Sequence, residues 1–384
     1  MPSPARHLAV FYLIYFSMLG VFVPYLSLYF LDIGLTAYQI GTVAALMPMV
    51  NMLTSSLWGV LADRTGKRRA LMRLTSGGAL AVFALMLVRT EYWWIVAVLT
   101  LYTVFRACIL PMVEATAMEA VDRLGVDYGR MRMWGSLGFI AATLALGPVL
   151  DVLPSRLVLW VVLALLTLVL WSVWHLPDTD VSHEAHPRGA ARMLLTSRPV
   201  LLFYAVCMLM QASHGAYYGF YSVYLEGLGY SRGAIGTLWA LGVGAEVAVL
   251  AWSGAILSAV GTRRMILLSL ALTVLRWGIL ASATHPGWLF TAQLLHAASF
   301  GLFHVAAVTY THRIMPARLR ATGQSLYSSL SFGLGLTVAI YLCGLFYARV
   351  GAHALFAGSA LVALCAGLLA IGLRPSPERA RAAG

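Results

Sequence analysis

Residues 59 to 69 read GVLADRTGKRR: the end of an apolar block, one acid, and then Arg64, Lys67, Arg68 and Arg69 crowded together, with Arg73 just beyond. Apolar stretches of helical length flank this loop on both sides. Asp63 closes the stretch before it and can accept hydrogen bonds from the N-terminus of a neighbouring helix. Gly59, one helical turn earlier, has no side chain to keep such a helix at a distance. The basic cluster suits the surface of an anionic lipid leaflet. A charged loop between two membrane-length helices sets the terms for the rest of the chain.

Outward from this loop the pattern repeats. Apolar blocks fall near 8–31, 38–62, 70–88, 93–119, 131–151, 157–176, 199–226, 231–260, 265–284, 286–313, 320–349 and 353–373, each long enough to cross a bilayer at about 20 residues per span. The expected fold is therefore all-α and integral to the membrane, with twelve transmembrane helices. The first block is too long for the core of a cleavable signal and is expected to remain as a span. Of 384 residues, 61% are hydrophobic and only 10% charged, and the mean hydropathy is +0.83. Such a chain has too little polar surface to cover itself in water, which excludes a soluble catalytic domain.

The charge balance of +12 does not form the stripe of a nucleic-acid-binding surface, and no nucleic-acid partner is expected. Its distribution follows topology instead. Sorting the 26 Lys and Arg puts twenty in the connections of one side, among them the 59–69 loop, four on the other, Arg89, Arg156, Arg232 and Arg349, and leaves two, Arg106 and Arg276, inside apolar blocks. Positive charge is retained in the cytoplasm, so both termini and the long connection 177–198 are expected there, in a multi-pass cytoplasmic (inner) membrane protein. That connection separates residues 1–176, expected as an N-terminal six-helix bundle, from 199–384, a C-terminal six-helix bundle with a short tail.

The halves echo one another. A shift of 195 positions lays QIGTVAAL (39 to 46) on AIGTLWAL (234 to 241) and GKRRAL (66 to 71) on GTRRMI (261 to 266). Parallel repeats of this kind are the pattern of transporters whose halves rock about a central site. In the second repeat Ser258 stands where Asp63 stands in the first, so only the N-terminal half keeps the acid of the loop.

With twelve spans, a repeat and this loop, the sequence closely resembles the major facilitator superfamily, whose signature loop GVLADRTGKRR matches. Further stretches, YGRMRMWGSLGF (128 to 139), HGAYYGFYSVYLEGLGYS (214 to 231), LWALGVGAEV (238 to 247), LRWGI (275 to 279) and QLLHAASFGLFHVAA (293 to 307), resemble the phenylpropionate permease branch. That branch is similar to the proton symporters typified by lactose permease. The resemblance implies a monomer-sized secondary transporter, with a small organic solute (organic acid, saccharide or nucleoside) and protons as its partners and no cofactor; proton-coupled symport is the expected mode, with proton-coupled efflux by antiport the alternative and a membrane-embedded enzyme or sensor the more distant one. It also implies a gate built from Gly59, Asp63, Arg64, Gly66 and Arg68.

Ionisable residues at membrane depth are costly and mark function. The interior set is Arg106 and Glu114 in the fourth block, His214 in the seventh, Glu246 in the eighth, Arg276 in the ninth, and His296 and His304 in the tenth. Depths counted at about 1.5 Å per residue let Glu246, Arg276, His296 and His304 meet. They are the expected proton-coupling group, with Arg276 beside Glu246 because a carboxylate next to a guanidinium is tolerated in a low dielectric. An acid, an arginine and a histidine on successive spans resemble lactose permease, although no second acid stands in the tenth block. The repeat partner of Glu246 is the uncharged Asn51.

Glu114 lies near the cytoplasmic end of its span, where it can pair with Arg132 as part of the gate or sit at a solvated helix end. Arg106 has no acid one turn away, so it faces either a substrate anion or a group on another helix. Arg106, His214, Tyr218, Trp239, Gln293 and Asn51 are the substrate-binding candidates. The aromatic run Tyr217, Tyr218, Phe220, Tyr221 and Tyr224 reads as a belt at the outer interface, with rings also able to stack on a ring-bearing substrate. His296 and His304 are eight apart rather than four, so no metal site is expected. Neither a nucleophile nor an HExxH sequence points to an enzyme, and the four cysteines lack paired spacing.

Overall fold

The computed structural model describes residues 3–176, 194, 196–316 and 319–374, apart from the side chains of Ser3, Asp63 and Leu124. Nearly all of the 177–198 connection therefore lies outside the described residues. Every regular element among those described is helical. In order they are α1 (Ser3–Asp32), α2 (Ala37–Thr65), α3 (Arg68–Ala84), α4 (Tyr92–Arg106), α5 (Ile109–Leu124), α6 (Tyr128–Leu150), α7 (Leu157–Trp174) and α8 (Arg198–Ser213). There follow α9 (Gly215–Gly227), α10 (Arg232–Val260), α11 (Thr262–Ser282), α12 (Pro286–Leu294), α13 (Phe303–Ile314), α14 (Arg320–Ser328) and α15 (Leu336–Ile371).

Joined across short irregularities, these make eleven described stretches long and apolar enough to cross a membrane. The last, Arg320–Ile371, is 52 residues long and breaks at Gly351, where φ is 75° and ψ is 170°. Those angles are open essentially to glycine alone. The break falls in the gap between the last two apolar blocks of the sequence.

Three described stretches are not plain α-helix, one of them the 3₁₀ turn Leu85–Leu87 that follows α3. Ala297–Leu302, between α12 and α13, and Ser329–Gly335, between α14 and α15, are π-helical. Such segments shift side-chain register and gather at functional sites.

The chain forms two compact units, one of Met1–His183 with Ser222–Ala240, the other of Glu184–Tyr221 with Leu241–Gly384. In the first, α1 packs chiefly on α6 and α7, and α3 on α4 and α7. In the second, α15 packs on α8 and α11 around a core that includes Phe203, Cys207, Met265, Ala306 and Ala366.

The partition does not follow the 177–198 connection alone, because the tip of the α9–α10 hairpin belongs to the first unit. The cause is local chemistry. Arg232 Nη2 binds both carboxylate oxygens of Asp32 at 2.7 and 2.8 Å, and its Nε donates to Glu226 at 2.9 Å. Asp151 accepts the backbone N–H groups of Arg232 and Gly233, at 2.6 and 3.1 Å, which is where a carboxylate complements a helix N-terminus. Beside them α6 and α10 touch: a Cβ at Gly236 would lie 2.7 Å from the Thr143 carbonyl oxygen.

Candidate transport site

The first unit gathers its interior charge around Glu114. Its carboxylate accepts hydrogen bonds from the Tyr12 and Tyr128 hydroxyls at 3.0 and 2.6 Å, and Arg132 Nε stands 3.8 Å away. The Arg132 guanidinium lies 3.9 Å over the Phe16 ring. Of the two readings open for Glu114, the structure gives the pairing with Arg132, with two phenols the sequence reading had passed over. Arg106, at the junction of α4 and α5, donates to the Tyr15 hydroxyl at 3.0 Å; a group on another helix thus holds it. Asn51 is half-buried in α2.

The second unit is organised by Arg276, which is fully buried. Its Nε donates to the Ala292 carbonyl at 2.9 Å and its Nη1 to Ser299 Oγ at 3.0 Å. Ala292 lies in the last turn of α12, where carbonyls lack partners further along the helix, and Ser299 lies in the π segment that follows. The guanidinium also stacks 4.3 Å from both the Tyr217 and Trp277 rings.

The Arg276 guanidinium fork is turned toward the helix break, and Glu246 Oε2 faces His296 Nε2 at 3.9 Å.

Around this centre, Gln293 Oε1 accepts from the Tyr217 hydroxyl at 3.1 Å. The His214 ring meets Trp277 edge-on at 4.9 Å and lies 6.5 Å from His296. His214 Nδ1 is 2.9 Å from the Met210 carbonyl. The aromatic run is mostly not an interfacial belt, because Tyr217, Phe220, Tyr221 and Tyr224 are buried within the protein. Tyr218 is half-buried.

Two further expected members have contacts of their own. His304 bonds the Tyr327 hydroxyl at 3.1 Å and stacks on Phe300, which also stacks on His296 and meets Phe332 edge-on. Trp239 Nε1 donates to Ser222 Oγ at 2.9 Å, in the hairpin tip that belongs to the first unit.

The gating loop is also revised in part. Gly66 adopts φ 64° and caps α2 through its N–H to the Ala62 carbonyl. A Cβ at Gly59 would meet no atom of the described residues within 4 Å, so among them no helix makes the expected close approach there. The Asp63 side chain lies outside the described residues. The basic cluster is only partly available to lipid: Arg68 pairs with Glu119 at 2.8 Å, Arg69 donates to the Trp174 carbonyl at 2.9 Å and Arg73 stacks on Trp174 at 3.9 Å. Arg64 and Lys67 remain exposed.

Sequence reasoning missed Asp32, Asp151 and Arg232, which sit at helix ends and carry no depth signal. It also missed Ser299, because a serine in a helix announces nothing until the π segment turns it toward Arg276.

Membrane-length helices enclosing carboxylate, guanidinium and imidazole groups define the class as a polytopic membrane transporter. The chain belongs to the MFS_1-like family of the major facilitator superfamily, whose model matches residues 5–357. It is 32% identical to the "Probable 3-phenylpropionic acid transporter" of Escherichia coli (strain K12), over 97% of this chain and 98% of that one. It is 29% identical to the maltose permease of Geobacillus stearothermophilus, over 90% and 89% of the two chains. Its fold matches the crystal structure of the nucleoside transporter NupG with a TM-score of 0.87 at 15% identity, covering 97% of this chain and 99% of that one. Its relatives transport solutes rather than transform them, and this chain is a transporter, not an enzyme.

Proposed function

We propose that the protein is a proton-coupled symporter that brings a small organic solute across the cytoplasmic membrane by alternating access. The observation that carries this reading is the Glu246–His296 contact in the interior of the second unit. A carboxylate and an imidazole facing each other at membrane depth hold a proton that can be gained or released without leaving a naked charge in low dielectric. The curated relatives are named for an aromatic acid and a sugar, so kinship alone leaves the solute class open.

The architecture that goes with this function has twelve spans, the Arg320–Ile371 stretch counting as two folded at Gly351. They form two six-helix repeats, 1–176 and 199–384, in a monomer with both termini cytoplasmic. The charge bias of the connections and the 195-residue echo support that arrangement. One charge moved through 100 mV supplies about 2.3 kcal/mol, enough for substantial accumulation.

Proteoliposomes test the function. Wild type is expected to accumulate solute when a pH gradient, acidic outside, is imposed. Glu246→Gln should fold and support counterflow, yet fail to accumulate. Full pH-driven accumulation by Glu246→Gln would remove the carboxylate from coupling.

A further inference from the structure

A cavity of about 570 Å³ opens at one end of the first unit, where α1 stops and the connections 85–91 and 151–156 meet. Asp32, Arg89, Glu91 and Arg156 line it, with Ile33 and Met86. On the proposed topology this is the outer end of the helices, opposite the 59–69 loop. Positive charge is scarce on that side, which has only Arg89, Arg156, Arg232 and Arg349. Two of these four line the cavity, and a third, Arg232, holds Asp32 in its wall. Arginines kept where the charge bias disfavours them, and gathered at one hollow of small-molecule size, suit an anionic group.

The walls are held in place by their own bonds. Trp94 Nε1 donates to the Leu85 carbonyl at 2.8 Å and Arg156 Nη2 to the Leu87 carbonyl at 3.0 Å, so the 3₁₀ turn Leu85–Leu87 is pinned at both ends. The Arg89 guanidinium lies 5.7 Å over the Trp94 ring, a contact that orients it without neutralising it. Arg156 uses one of its five donors on a carbonyl. Neither arginine pairs with a carboxylate among the described residues.

The two acids of the wall differ. Asp32 is engaged, because Arg232 Nη2 binds both of its oxygens. Glu91 stands at the N-cap position of α4, yet its side chain makes no capping bond and joins no ion pair among the described residues. Three charges without a counter-charge, two positive and one negative, thus line one hollow. Water solvates such exposed charges at little cost. What solvation does not account for is their gathering beside a pinned turn on the side where arginine is disfavoured.

A simple anion would serve the arginines and leave Glu91 as a repulsive neighbour. A phosphodiester joined to a primary ammonium serves all three: its free oxygens match the planar guanidinium forks, and the ammonium donates to the carboxylate. Apolar neighbours show where such a molecule resides. Val88 in the lining, Trp93 at the start of α4 and Val152 just after α6 are 63, 75 and 81% exposed. At the end of membrane-length helices, such side chains sit among lipid at the interface.

We infer that Arg89, Arg156 and Glu91 form a headgroup site for phosphatidylethanolamine of the outer leaflet, the arginines holding the phosphodiester and Glu91 the ammonium. The site depends neither on which solute is carried nor on proton coupling. Free glycerophosphoethanolamine offers the same charged groups from solution, but without acyl chains to lie against the exposed apolar residues.

Binding to the full-length protein in detergent is measured by native mass spectrometry. The probes are phosphatidylethanolamine, phosphatidylcholine and phosphatidylglycerol of identical acyl chains, and glycerophosphoethanolamine. Hydrogen exchange in phosphatidylcholine nanodiscs, with and without phosphatidylethanolamine, locates the site. One phosphatidylethanolamine is expected to bind about tenfold tighter than either other lipid, the effect of one charge-assisted hydrogen bond, and to slow exchange at 85–92. Phosphatidylcholine has no N–H to donate to Glu91, and phosphatidylglycerol has no cation. Arg89→Gln leaves the bonds that pin the turn intact and should weaken phosphatidylethanolamine about tenfold. Glu91→Gln should erase its preference over phosphatidylglycerol.

Equal binding of the three lipids, unchanged exchange at 85–92, or a preference that survives both variants would overturn the site. The wild-type exchange comparison decides the matter even where a variant fails to fold. Glycerophosphoethanolamine bound as tightly as the lipid would overturn the assignment to the bilayer and make the ligand a free solute.

Discussion

The two units solve the same problem, charge inside a membrane protein, in opposite ways. In the first, the central charge is the Glu114 carboxylate, bound by two phenols with a guanidinium nearby. In the second, the central charge is the Arg276 guanidinium, held by a carbonyl and a hydroxyl, while neighbouring nitrogens go unsatisfied. The sequence echo between the halves thus does not bring a repeated site. The first cluster is largely complete as it stands, and the second is complete only with something added. Buried polar networks are stabilising when fully satisfied and costly when they are not, so the incomplete one is the place to look for a solute.

The sharpest break of this contrast is Arg276→Ala. It removes two charge-assisted hydrogen bonds and two ring contacts from a fully buried position, an expected loss of about 3 kcal/mol or more. Thermal unfolding in detergent should fall by several degrees and uptake should vanish. Arg276→Lys should not restore uptake, because an ammonium lacks the planar fork that reaches Ala292 and Ser299 together. A lysine variant with normal uptake would reduce this centre to a point charge.

Next in size is Glu114→Gln. An amide oxygen accepts more weakly than a carboxylate, and the two phenols would share it, so about 1–2 kcal/mol of stability should be lost. Uptake should fall with or without a pH gradient. If it fell only when the gradient drives it, the first unit would hold the coupling proton and the comparison would invert.

A smaller effect is expected from Asp32→Asn combined with Asp151→Asn. Exposed or half-exposed ion pairs contribute about 0–1 kcal/mol each. The expected result is faster hydrogen exchange confined to 226–236, with unfolding nearly unchanged. Unaltered exchange there would show that the Gly236 packing alone holds the hairpin.

The smallest concerns Gly59→Ala, which should be neutral or stabilising by up to about 1 kcal/mol, since open space surrounds that position. A marked fall in the unfolding temperature would show that a helix does pack there.

Much of the helical layout was legible because lipid enforces it: apolar length places the helices, and Gly351 interrupts the last stretch where the apolar pattern pauses. Interior charges were likewise visible as depth outliers. What depth could not give was direction. The Arg276 guanidinium points to the end of α12, because a helix break exposes a carbonyl there and no hydropathy pattern announces the break. Tyr217 was hidden for a related reason: a tyrosine near a helix end is read as interfacial, whereas here it carries a cation on its face. The Arg232 clasp escaped because loop charges are ordinarily solvated.

The π segment at Ala297–Leu302 makes the residue count of this stretch a variable in its own right. A π turn fits about one more residue than an α turn, so deleting one residue between 297 and 302 would restore ordinary winding, leave the flanking helices nearly in place and remove the local turn that aims Ser299 at Arg276. The contact would be lost although neither side chain had been altered. Comparative surveys of natural variants in this stretch should accordingly score gaps before substitutions.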